Sequence, residues 1–198
     1  LPTETVELPS KGLMYSKDSV LASGKIEMKY MTAREEDILT NASYIQNGTV
    51  IDRLLKALIV SDIDYDDILV GDKNAIMVAA RILSYGKDYQ ITYGGETHTV
   101  DLSLLDNRAI DESLYQGPET EFSFTLPSAD IEIKFKLLTH GIEKKIDNEI
   151  KGLKKIQKDN APESTVRLKY MLTEVDGSRE RKDVRDFVDN YFLARDAR

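Results

Sequence analysis

Cysteine is absent from all 198 residues. Disulfides, thiolate zinc sites and a cysteine nucleophile are thereby excluded. Basic charge is scarce too: 27 Lys and Arg stand against 35 Asp and Glu, a formal net charge of -8. Binding to a phosphate backbone draws on clustered Lys and Arg. The balance argues against nucleic acid as a partner of the whole surface. No apolar run approaches the roughly 20 residues that span a bilayer, so no membrane span is expected. The first residues, Leu1 to Thr5, lack the basic start and apolar core of a signal peptide. The glycosylation patterns Asn41-Ala42-Ser43 and Asn47-Gly48-Thr49 therefore carry no weight.

Catalytic residue patterns are equally sparse. His98 and His140, the two histidines, lie far apart and in no H-x-x-x-H or H-E-x-x-H arrangement. Each reads as a surface or structural histidine. No G-x-S-x-G elbow is present. Gly94-Gly95 lacks the lysine and helix that follow in a phosphate loop, and Val70-Gly71-Asp72-Lys73 has no G-x-x-x-x-G-K frame. Asp62 to Asp67 sets oxygens at alternate positions, as a calcium loop does. However, the sixth and twelfth places hold Asp67 and Lys73 instead of glycine and glutamate. The segment reads as a solvated loop whose aspartates cap turns. The lysines between Lys144 and Lys158 are interrupted by Glu143, Asp147 and Glu149. They read as a solvated face or a contact for an acidic protein. No catalytic residue, cofactor or metal site is expected. An enzyme would need His98 or His140 to meet a carboxylate and a nucleophile in space.

What is present is enough apolar residue to build a core, 41%, beside 31% charged residues. The chain can form one large domain or two small ones. Thr5 to Leu8 is extended and ends at the turn cluster Pro9-Ser10-Lys11-Gly12. Lys25 to Met31 alternates as a half-buried strand, with Ile26, Met28 and Tyr30 on one face. Thr32 and Glu35 then make a capping box. Gly48-Thr49 opens a helix with apolar rows through Val50, Leu54 and Leu58 and through Ile51, Leu55 and Ile59. Asp72 reads as the cap of a third helix, Lys73 to Tyr85, whose apolar centre, Ala75 to Leu83, is expected mid-core. Gly94-Gly95 signals a hairpin between Tyr89–Tyr93 and Thr97–Leu102. Asp106 to Pro118 reads as a connection with a short helix.

A second hairpin, Glu121–Leu126 with Ile131–Leu137, flanks Pro127 to Asp130. Three helices are expected after it: His140–Lys158, Pro162–Val175, and Lys182 onward. The last continues through Phe192 to Arg198, and the protein is expected to extend further at that end. The fold class is α+β, small antiparallel hairpins packed with helices. The expected division is an N-terminal lobe over 1–106, a connection over 107–118 and a C-terminal lobe over 119–198. Leu8-Pro9-Ser10 before Ile26 to Tyr30 is echoed by Leu126-Pro127-Ser128 before Ile131 to Phe135. The echo reads either as two similar lobes or as chance likeness of amphipathic strands.

Three runs together resemble a known family. They are Met31-Thr32-Ala33-Arg34-Glu35-Glu36-Asp37-Ile38-Leu39, Asn47-Gly48-Thr49-Val50-Ile51-Asp52 and Leu69-Val70-Gly71-Asp72-Lys73-Asn74-Ala75. The chain resembles the baseplate hub subunits and hub assembly proteins of T-even-type contractile-tailed bacteriophages. Phe135 to Gly141 and Arg185 to Asn190 resemble marine-phage relatives. The resemblance implies a structural or assembly component of the viral tail baseplate, partnered by other tail proteins. It implies a place in the virion and, during assembly, in the host cytoplasm. Self-association is left open. A non-virion chaperone for hub assembly is the alternative reading. Some relatives carry cysteine pairs where this chain reads Tyr93 to Thr97, and their absence here removes a zinc-held hairpin. Arg34, Glu36 and Asp37, with Tyr191 and Phe192, are the expected protein-contact residues.

Overall fold

The computed structural model describes residues 2–157 and 162–197. Among them are seven α-helices and seven strands in small antiparallel sheets, an α+β fold. The chain divides into two compact units. The first runs to Tyr65 and resumes over Gly71–Gly117; the second holds Asp66–Val70 and the chain from Pro118 onward.

In the first unit, β1 (Thr3–Glu7) pairs antiparallel with β2 (Lys25–Lys29). The alternation of β2 buries Ile26 and Met28 and leaves Lys25 exposed. Residues 8–24 join the two strands in a loop that seals Leu8, Met14, Tyr15 and Leu21. The loop closes on itself through two glycines. Gly12 has φ 77° and Gly24 φ 72°; a Cβ on Gly12 would sit 2.4 Å from the Ala22 carbonyl oxygen, and one on Gly24 2.7 Å from that of Lys11. No side chain fits either crossing, and both angles lie where non-glycine residues are strained.

Four helices follow: α1 (Ala33–Leu39), α2 (Ala42–Gln46), α3 (Val50–Leu58) and α4 (Val70–Tyr85), the last entering this unit at Gly71. The buried stripe of α3 is Leu54, Leu55 and Leu58. After α3 the chain runs along β2: the Val60 amide donates to the Glu27 carbonyl at 2.9 Å, and the Ser61 hydroxyl accepts from the Glu27 amide at 2.8 Å. A hairpin of β3 (Asp88–Tyr93) and β4 (Glu96–Asp101) closes the unit's regular structure.

The second unit holds a three-stranded sheet, β5 (Phe122–Leu126), β6 (Ile131–Phe135) and β7 (Leu172–Val175), in that order. Helix α7 (Arg181–Asn190) covers it. Their shared core is Leu126, Ile133, Leu172, Val175, Val184, Phe187 and Val188. Helices α5 (His140–Gln157) and α6 (Glu163–Met171) enclose a second cluster of Ile146, Ile150 and Val166. The segment Asp66–Val70 joins this unit by backbone bonds: the Val70 amide donates to Leu138 at 3.0 Å and the His140 amide to Ile68 at 2.8 Å.

Several elements differ from expectation, each for a local reason. The helix expected to reach Val175 ends at Met171. Leu172 and Val175 instead pair with β6 and enter the sheet core, which outweighs their fit to a helical stripe. The last helix stops at Asn190 instead of running on. The Phe192 amide turns back to the Phe187 carbonyl at 2.9 Å, and the two rings meet edge to face. Helix α4 begins at Val70, so Asp72 lies inside its first turn and does not cap it. Of the expected apolar centre only Ile76 and Ala80 are buried. Ala75, Val78, Ala79 and Ile82 instead line an open groove. Helix α2, capped by the Asn41 side chain at the Tyr44 amide, is too short for periodicity to reveal. Lys158, the expected end of α5, lies outside the described residues, as does Arg198.

Asp72 is the central tie of the first unit. Its carboxylate is sealed from water and accepts from the Ser10 amide at 2.9 Å, the Ser10 hydroxyl at 2.6 Å and the Tyr15 hydroxyl at 2.6 Å. Replacing it by alanine leaves the buried Ser10 amide without its acceptor. Asp72→Ala is expected to destabilise the protein by about 3 kcal/mol, measured by chemical denaturation. A loss below about 1 kcal/mol would contradict this account.

Candidate protein-contact surfaces

The run that starts α1 sorts its charges by direction. The capping box forms, with the Glu35 carboxylate accepting from the Thr32 amide at 3.0 Å and the Thr32 hydroxyl at 2.6 Å. Its other oxygen takes the Lys29 ammonium at 2.8 Å. Glu35 is only 2% exposed, so this residue faces inward. The Lys29 ammonium, with the two Thr32 donors, holds its carboxyl at about 2, well below the usual carboxylate range. With Glu35 turned in, helical spacing leaves Arg34, Glu36 and Asp37 in solvent, where the structure finds them.

Glu36 does not stand alone. It accepts from the Tyr85 hydroxyl at 2.7 Å, which pushes that phenol's pKa up. Beside Tyr85, the Arg81 guanidinium lies 5.1 Å from the Tyr85 ring centre and 5.5 Å from that of Tyr89. Such stacking on aromatic faces is favourable for arginine. Arg81 also donates to the Gly86 carbonyl at 2.9 Å. A contiguous polar and aromatic strip thus runs from α1 through Tyr85 and Arg81 to β3.

The β3–β4 hairpin extends that strip. Gly94 (φ 62°) and Gly95 (φ 83°) form its two-residue turn, with both central angles positive as the type I′ turn requires. Tyr89, Ile91 and Tyr93 share one face of β3, and all are exposed, Tyr93 at 80%. Nearby, α4 and the segment after β4 line an open groove of about 530 Å³ through Ala75, Val78, Ala79, Ile82 and Leu105.

In the second unit, a groove of about 470 Å³ lies along α5 and α6. It is lined by Ile150, Leu168 and Met171 with Lys151 and Arg167 at its margin. Tyr191 is 62% exposed, whereas Phe192 is partly buried against the sheet core. The sheet is tied by Arg179. Its guanidinium makes a bidentate pair with Glu121 at 3.0 and 2.7 Å, and reaches Glu174 at 2.9 Å. The Arg179 pairing also holds the Glu121 carboxyl low, at about 2.

The histidines occupy contrasting places. His98 is exposed on β4. His140 is buried at the start of α5, with Nε2 4.0 Å from an Asp66 oxygen, and Lys144 pairs with the same carboxylate at 2.7 Å. The same carboxylate thus meets side chains from two turns of α5, which suits a structural tie. Among the described residues no three His, Asp or Glu side chains gather at metal-binding geometry. No helix among them is long and apolar enough to cross a membrane.

Sequence reasoning marked Arg34, Glu36 and Asp37 but not Tyr85 or Arg81, which join Glu36 to the hairpin. The apolar alternation of Tyr89, Ile91 and Tyr93 was the available signal. Tyr85 and Arg81 are four apart on one helical face, the spacing at which side chains meet.

The low pKa of Glu35 sets a pH dependence. Its folded value is depressed, so its contribution is present above about 4.5 and is lost as pH falls towards about 2. Acidification across that window is expected to remove about 2–3 kcal/mol more stability from the wild type than from Glu35→Gln. Denaturant titrations at successive pH values measure the difference. Parallel curves for the two proteins would rule the linkage out.

The family model described as T4 bacteriophage base plate protein matches residues 3–163. That span includes every element from β1 to α5, and both the α1 strip and the hairpin. No curated protein and no solved structure matches the chain.

Proposed function

This chain belongs to the T4 bacteriophage base plate protein family, and we propose that it serves in the central hub of the contractile tail baseplate through protein contacts, without catalysis. Family membership gives it a structural role in the phage tail baseplate, in contact with other tail proteins. The finer reading is supported by one observation above all. The matched residues contain an exposed strip that is aromatic, charged and continuous from Glu36 to Tyr93. Large amphipathic side chains of this kind are enriched where proteins meet.

Arg34, Glu36 and Asp37 supply the charged end of this surface, and Tyr85, Arg81 and the face of β3 the aromatic end. In the second unit Tyr191 offers an exposed ring, with Phe192 anchoring the turn that carries it. Assembly takes place in the host cytoplasm before the tail is complete. A chaperone that helps build the hub and then leaves is the reading that the same surface would serve if the chain is absent from the particle.

Mass spectrometry of purified virions tests the proposal. The chain is expected in the particle at a copy number shared with hub proteins. Its absence would overturn the structural role in the hub and favour the chaperone. Reversing charge at Arg34→Glu with Asp37→Arg is expected to lower incorporation into baseplates at least several-fold. Both sites are exposed, so the melting temperature should be nearly unchanged. Normal incorporation of the folded variant would remove this end of the strip from the contact.

A further inference from the structure

The β3–β4 hairpin lacks what a stable sheet needs. It is two-stranded, and every residue from Asp88 to Thr99 is exposed. Hairpins of this size are marginal without a further strand or a packed face. Beyond Asp88 the outer edge of β3 is also undefended. Lys, Pro and bulges normally block such edges, and Asp88-Tyr89-Gln90-Ile91-Thr92-Tyr93 contains none.

We propose that β3 pairs with β3 of a second copy of this chain, making a four-stranded antiparallel sheet about a two-fold axis. The register follows from the turn. A two-residue loop makes Tyr93 and Glu96 a hydrogen-bonded pair, and bonding alternates along the ladder. Asp88, Gln90 and Thr92 therefore point their backbone groups outward. Arg81 contacts the Asp88 carbonyl at 3.4 Å. The outward groups of Gln90 and Thr92 have no partner among the described residues.

A two-fold axis through Ile91 pairs Gln90 with Thr92 of the other copy by hydrogen bonds. It sets Ile91 against its own copy and Tyr89 against Tyr93, on one shared face. Cross-strand aromatic and β-branched neighbours of this kind stabilise sheets. The order Tyr89, Ile91, Tyr93 is self-complementary about Ile91, and this selects a copy of this chain as the occupant. With a net charge of -8, two copies can meet only where like charges do not face each other. The edge strand carries a single charge, Asp88, and this register sets it opposite Gly94. On β4 the same face reads Glu96, His98 and Val100, so no two-fold register on that edge lines up apolar partners along its length. Self-association through β3 is independent of whether the chain sits in the hub.

Single cysteines in this cysteine-free chain test it. At a non-hydrogen-bonded antiparallel pair the Cα atoms lie about 4.5 Å apart, within disulfide reach. Purified I91C is expected to cross-link into a covalent dimer under mild oxidant. T99C, also exposed and on the outer edge of β4, serves as the control and should link roughly tenfold more slowly or less, at collision rates. Sedimentation of the unmodified chain should show twice the 22.4 kDa monomer mass. Q90P, which removes an outward amide, should shift it to monomer, whereas T99P should not. A monomer throughout the concentration series, equal linking of I91C and T99C, or a dimer unaffected by Q90P would each overturn the proposal. Pairing of β3 with a different baseplate protein would appear as such a monomer.

Discussion

Asp72 is an acid placed where water cannot reach it, and the first unit is organised by what that requires. A buried carboxylate is tolerable only if donors surround it. Here they come from Ser10 and Tyr15, 62 and 57 positions earlier. The loop between β1 and β2 has little regular structure of its own. It is fixed because one end reaches the first turn of α4, where the helix dipole also favours negative charge. The loop in turn buries Leu8, Met14, Tyr15 and Leu21. The long chain closure means that this tie can form only after distant segments have come together.

In the second unit the tie is a cation at the surface. Arg179 stands in the turn before α7 and bridges Glu121, beside β5, and Glu174, on β7. Lys134 on β6 pairs with Glu174 as well. Charge alternates across the three strands on one face, while apolar side chains on the other meet α7. The planar guanidinium suits this role because its fixed fork serves two carboxylates at once. β7 and α7 lie beyond the residues that the family model matches.

The sequence made some of this legible and hid the rest for physical reasons. Strong local signals were read directly: the alternation of β2, the box at Thr32 and Glu35, the Gly94-Gly95 turn and the apolar rows of α3. Each depends on neighbours within a few residues. What was misread depends on partners far away. Leu172 to Val175 fits a helical stripe until β6 is present to pair with it. Asp72 looks like a cap until Ser10 and Tyr15 arrive. The candidate surface divides in the same way. The exposed charges of α1 follow from helical spacing, but Tyr85 and Arg81 join them only through the packing of α4. A lone aromatic or arginine in sequence carries no hint of that.

The crossing of Gly12 and Gly24 has a bearing on how this protein can change over generations. At those two points the backbone itself is the contact, so inherited variation there has almost nowhere to go. Exposed neighbours such as Lys17 and Asp18 are under no such restriction. A lineage that must keep pace with altered neighbours in a large assembly can therefore rewrite the rim of this loop freely while its clasp stays the same.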